Sequence, residues 1–89
     1  MISHTTQSFR KALVKLPDSV RSQARIAYRH FITDPYYPGL QFKRVHETDP
    51  IYSARINIDY RAVGIMNNNE IVWFWIGPHT EYEKLLKRL

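Results

Sequence analysis

In the first third of the chain, apolar residues recur at the helical period. Phe9, Ala12, Leu13 and Leu16 stand at i, i+3, i+4 and i+7, one face of a helix that the ring and missing N–H of Pro17 bring to an end. A second stripe, Val20, Ala24, Ala27 and Phe31, predicts a helix running from a cap at Asp18 or Ser19 to about Thr33. The small Ala24 and Ala27 allow the two helices to approach closely, so a helical hairpin is predicted. Residues 1–8 are polar and read as an arm or a short edge piece. Past the turn-rich link of Asp34-Pro35 and Pro38-Gly39, the period falls from 3.6 towards two.

Residues 40–47, LQFKRVHE, read as a strand with Leu40 and Phe42 on one face and Lys43 and Val45 on the other; Asp49-Pro50 breaks it. From Ile51 to Asn57 the alternation is clean, with Tyr52, Ala54 and Ile56 inward and Ser53, Arg55 and Asn57 outward. A tight connection at Ile58-Asp59 leads to a strand over residues 60–66. Asn67-Asn68-Asn69 then predicts a hairpin turn, because Asn tolerates the left-handed conformation such turns need. The run Glu70 to Ile76, EIVWFWI, is apolar without a break, which predicts a central strand covered on both faces. One cover is the helical hairpin, and the other is the C-terminal helix or a partner chain. Alternation places Trp73 and Trp75 on one face and Phe74 on the other, all three as core. Gly77-Pro78 ends this strand. Thr80 and Glu83 match a capping box that starts a last helix at Thr80, with Leu85, Leu86 and Leu89 on its apolar side.

These elements predict an α+β fold: an N-terminal helical hairpin packed on a three- to four-stranded antiparallel sheet, with a short C-terminal helix, in one domain over residues 1–89. A chain this short buries only about 60% of its unfolded surface, so six Tyr, four Phe and two Trp matter for the area each can bury. The absence of cysteine excludes a disulfide framework and thiolate metal sites, and fits a reducing cytoplasm. No segment reaches the length of a membrane span. Four scattered histidines without cysteine partners predict no metal site, and no cofactor is expected.

Charge sharpens the reading. The net charge is +5 and the pI near 9.7, which favours a polyanionic partner. The basic residues are also grouped. Arg21, Arg25 and Arg29 stand at i, i+4 and i+8, where like charges repel unless an anion intervenes. Lys43 and Arg44 form a second group, and Arg55 and Arg61 sit near the ends of two successive strands.

Four phrases carry a resemblance over nearly the whole chain: FRKALVKLP, DPYYPGLQFKRV, YSARINIDYRAVG and IVWFWIGPHTEYEKL. Together they resemble the RelE/ParE superfamily of toxins from type II toxin–antitoxin modules. The resemblance implies a small cytoplasmic protein neutralised by a cognate antitoxin that wraps a largely disordered segment around it. RelE-type members cut mRNA in the ribosomal A site, whereas ParE-type members poison DNA gyrase; a relative that only binds its antitoxin is a third possibility. A shared fold does not choose among these. In the nuclease branch, Arg61 of DYRAV matches an arginine on the strand after the first hairpin. Arg55 matches a second cationic strand residue, and Lys43 and Arg44 lie in the basic segment before it. This sequence departs from the pattern at His79, which follows Gly-Pro where RelE itself has an arginine, and at Tyr82, which comes sooner than the tyrosine of that enzyme. No carboxylate matches the glutamate of the YoeB-like branch.

RNA cleavage without a metal requires deprotonation of a 2′-hydroxyl, stabilisation of a charged phosphorane and protonation of the leaving oxygen. Guanidinium forks suit the second task, assigned to Arg55 and Arg61; the alternatives are plain phosphate binding or ion pairs with Asp59 or Glu47. His79 is the acid–base candidate because imidazole titrates near neutrality, set against a role in the turn. Tyr82 is either a stacking and proton-transfer residue or, the favoured reading, packing on the sheet. Lys43, Arg44, Arg21, Arg25 and Arg29 are the RNA-binding candidates. His46 and Glu47 are weaker, and His4 and His30 are given no chemical role.

Overall fold

A computed structural model describes residues 1–89. The elements are β1 (Ile2–Thr5), α1 (Gln7–Val14), α2 (Asp18–Thr33), β2 (Lys43–Arg44), β3 (Ile51–Arg55), β4 (Tyr60–Asn67), β5 (Glu70–Pro78) and α3 (His79–Arg88). The five strands form one sheet in the order β1-β5-β4-β3-β2. β2 to β5 pair antiparallel, as the turn signals require. β1 adds a fifth strand, parallel to β5, so the sheet is mixed and larger than the predicted one. Trp73 explains part of this: its indole N–H donates to Ser3 Oγ at 3.1 Å, and its carbonyl accepts the Thr6 N–H at 3.0 Å. A short, mostly exposed strand is thereby held to a long neighbour.

Capping differs between the helices. Thr6 caps α1 by accepting the Phe9 N–H at 3.1 Å. Neither Asp18 nor Ser19 caps α2; Pro17 occupies that position, without a side-chain bond, and Asp18 is the first helical residue, ion-paired with Arg21. The Thr80–Glu83 capping box is also not formed. α3 starts at His79, directly after Pro78, and Glu83 turns towards His79 instead.

Two apolar layers flank the sheet, as the unbroken apolar run of β5 demands. On one side Ala27 and Phe31 of α2 meet Leu40, Phe42, Ala54 and Trp73. On the other, Tyr82 of α3 meets Ile51 and Val63, with Val45, Trp75 and Leu85 around them. The alternation of β5 is interrupted where Val63 pairs with Trp75 but Gly64 pairs with Trp73, which leaves Phe74 without a partner. This β-bulge puts two residues opposite one and reverses the facing of the residues after it. Trp73 and Trp75 therefore lie on opposite faces, Trp73 under the helices and Trp75 under α3. Gly64 makes the bulge possible: a Cβ there would stand 3.0 Å from Ile71, Trp73 and the Val72 carbonyl.

Two further expectations change. Only Lys43 and Arg44 of residues 40–47 are strand, because Gln41 turns left-handed at φ 45° and carries the chain out of a short 3-10 turn. Ala24 and Ala27 do not seal α1 against α2. They line an open, mostly apolar groove of about 540 Å³ between the two helices and the sheet, with Phe9, Leu13, Ile56 and Trp73 also on its walls. The hairpin at Asn67–Asn69 forms as predicted, with Asn68 at φ 58°.

Candidate active site

Arg55 ends β3 and Arg61 lies near the start of β4, and the register pairs them directly. Paired residues share a face, and this one also carries Ser53 and Val63, which face α3. The loop between the strands is built by Asn57, whose Oδ1 accepts the N–H groups of Asp59 at 2.8 Å and Tyr60 at 2.9 Å. Its carbonyls then hold Arg61: one terminal nitrogen of the guanidinium donates to the carbonyls of Asn57 at 2.7 Å and Tyr60 at 3.0 Å. Neither arginine has a carboxylate within ion-pair distance; the pairs proposed with Asp59 and Glu47 do not form. Burial, and then the charge of Arg55, lower the pKa of Arg61, while Tyr82 and Asp59 act weakly the other way.

His79 joins this cluster through the backbone. Arg61 pairs with Gly77 and Tyr60 with Pro78, and the His79 N–H donates to the Asp59 carbonyl at 2.7 Å. Its imidazole Nε2 stands 3.3 Å from Glu83 Oε1, one helical turn on, and its ring centre is 5.7 Å from that of Tyr82. Tyr82 is buried, and its hydroxyl donates to the buried Ser53 Oγ at 3.1 Å, the packing arrangement. Trp75 lies over Gly77, where an added Cβ would come within 2.8 Å of the indole. Lys43 pairs with Ser53 across β2 and β3 and so extends the same cationic face.

The other basic candidates are elsewhere. Arg44 donates to the carbonyls of His46 at 3.0 Å and Thr48 at 3.2 Å, tying the β2–β3 loop rather than facing solvent anions. Arg21, bound to Asp18, lines the groove together with Arg25 and Arg29, on the opposite side of the sheet from Arg55 and Arg61. His46 is engaged at both ring nitrogens, accepting the Asp49 N–H at 3.0 Å and meeting the Leu89 carbonyl at 3.0 Å. His79 with Glu83 and His46 with Asp49 are paired donors, and no third His, Asp or Glu joins either pair. Ser53, Glu83 and Asn57 were not legible as site residues. Ser53 carried one signal, a polar position two residues before Arg55 in the same alternation.

A family of ParE-like toxin domains matches residues 18–84. The chain belongs to it. It is thus a toxin of the RelE/ParE type found in toxin–antitoxin systems, and its solved likenesses agree in fold. It is similar to the RelB–RelE antitoxin–toxin complex of Methanococcus jannaschii, at 14% identity and TM-score 0.74, over 92% of this chain and 96% of that one. The archaeal RelE–RelB complex of Pyrococcus horikoshii OT3 is similar at 20% identity and TM-score 0.69, over 86% and 92%. The YoeB/ParE toxin of Agrobacterium tumefaciens is similar at 13% identity and TM-score 0.70, over 89% and 99%. No curated protein matches the sequence. No helix of this ParE-like toxin is long and apolar enough to cross a membrane.

Proposed function

We propose that this toxin is a metal-independent endoribonuclease that cleaves mRNA on the ribosome in the cytoplasm and so inhibits translation. The observation that supports it most is the facing of Arg55 and Arg61 without any carboxylate between them. Like charges opposite each other across two strands are destabilising, and a phosphate that accepts from both guanidinium groups removes the penalty. As the phosphorane gains charge, that cradle binds it more strongly than the ground state, which lowers the barrier. Lys43 extends the track for the RNA backbone. His79 sits beside the cradle as the proton-transfer group, a role worth about 10²–10⁴-fold in rate. Tyr82 packs on Ser53 in the layer under α3 and does not react.

The partner is a cognate antitoxin, as in the RelB–RelE complexes to which the chain is similar. The apolar groove rimmed by Arg21, Arg25 and Arg29 suits an acidic, amphipathic antitoxin segment.

The match to ParE-like toxins supports a second reading, inhibition of DNA gyrase by binding alone. Primer extension on mRNA in a translating extract separates the two. The nuclease gives new, site-specific 5′ ends, and Arg61→Ala removes them while the fold and antitoxin binding survive. No new ends, together with DNA damage and filamentation on induction, would select gyrase. Full toxicity of Arg61→Ala would overturn the assignment of the cradle.

A further inference from the structure

We propose that Glu83 is a positioning residue for His79, holding the imidazole so that Nδ1 is its proton-accepting nitrogen; this rests on the nuclease reading above. Three observations carry it. Glu83 stands one helical turn after His79 with its carboxylate oxygen 3.3 Å from Nε2. The backbone of His79 is itself fixed to the arginine loop by its bond to the Asp59 carbonyl. Glu83 is also free of other duties, since the capping role its spacing suggested is not used and it has no other ion pair, whereas Glu81 is paired with Lys84.

A carboxylate beside Nε2 favours the proton on that nitrogen and leaves the Nδ1 lone pair open. The charged residues on the elements next to His79 are Glu83 on α3, Arg61 on β4, Arg55 on β3 and Asp59 in the loop between those strands. In the reaction, Nδ1 takes the 2′-hydroxyl proton as O2′ bonds to phosphorus. The P–O5′ bond breaks, and the departing oxygen takes a proton from water. The products are a 2′,3′-cyclic phosphate and a 5′-hydroxyl, and the imidazolium returns its proton to solvent.

The test combines ¹⁵N NMR of the His79 ring with cleavage kinetics in the translating extract for the wild type, Glu83→Gln and Glu83→Ala. The proposal expects the wild-type ring to carry its proton on Nε2. It expects Glu83→Ala to lose that preference. In Glu83→Ala kcat falls about fivefold at unchanged KM, whereas Glu83→Gln, whose amide oxygen can accept from Nε2, retains the tautomer and most of the rate. A wild type that cleaves, with variants unchanged in tautomer and kcat, overturns the role of Glu83 alone. A wild type that does not cleave overturns the nuclease reading and this inference with it.

Discussion

Arg55 and Arg61 face each other as register partners on adjacent antiparallel strands, and no acidic side chain comes within ion-pair distance of either. Burial and the neighbouring charge together press the Arg61 pKa below its ordinary value. A lowered pKa on a base means that folding disfavours its charged form. That cost is present at every pH below the folded value, so it is constant through the neutral range and does not make stability pH-dependent there.

Removing one of the two charges therefore stabilises the fold. Arg55→Gln should gain about 0.5 kcal/mol, in the range of like-charge cross-strand pairs, and raise Tm by about 2–4 °C for a domain of this size. Phosphate should raise the wild-type Tm and have less effect on the variant, with added chloride eroding the difference. Thermal melts with and without phosphate measure both, and an unchanged or lower Tm for the variant would show that the two charges do not strain the fold.

Tyr82→Phe deletes the donor to Ser53 Oγ, which is 2% exposed. An unpaired buried hydroxyl costs about 1–3 kcal/mol, so the urea midpoint should fall while its slope stays the same. Adding Ser53→Ala should restore part of the loss. Toxicity of the single variant should persist wherever it remains folded, since the hydroxyl's hydrogen bond goes to Ser53 and not to an arginine.

Gly77→Ala forces a Cβ to within 2.8 Å of the Trp75 ring. The indole must leave its place under α3, at a cost of about 1–3 kcal/mol. Denaturation should show the loss, and a red shift in tryptophan emission should show Trp75 becoming wetter. Because Gly77 pairs with Arg61, cleavage should weaken as well.

Ser3→Ala removes the partner of the Trp73 indole N–H. The expected loss is about 1 kcal/mol. Amide exchange should quicken first at residues 2–5, which pair with the β5 edge, and a soluble-aggregate assay should detect the bared edge. Unchanged protection of those amides would show that β1 is held by its backbone bonds alone.

Much of this molecule is set by local pattern. The stripes of Val20, Ala27 and Phe31 and of Tyr52 and Ala54 carry their own period, so the faces they bury were readable without a structure, whereas Ser53, expected outward, is buried under α3. Asn67–Asn69 announced its turn for a similar reason, since few residues tolerate a positive φ. Arg55 and Arg61 were recognisable as neighbours because two alternating runs joined by a short loop have few registers that bury their apolar sets.

Other features depended on contacts between distant residues. The bulge at Phe74 separates Trp73 from Trp75 because β4 reaches Gly64 where a side chain would collide with β5, a fact about two strands and not one. Glu83 looked like part of a capping box and became a partner for His79, because the helix starts one residue before Thr80 and puts Pro78, which has no side-chain acceptor, at the cap position. Arg44 was indistinguishable from Lys43 by composition, yet a guanidinium reaches the loop carbonyls behind it, whereas Lys43 lies on the opposite face. Sequence periodicity by itself determined the helices, the three long strands and a basic surface. Tertiary structure alone decided which cations meet, since that depends on register and on which buried polar groups are satisfied by residues far along the chain.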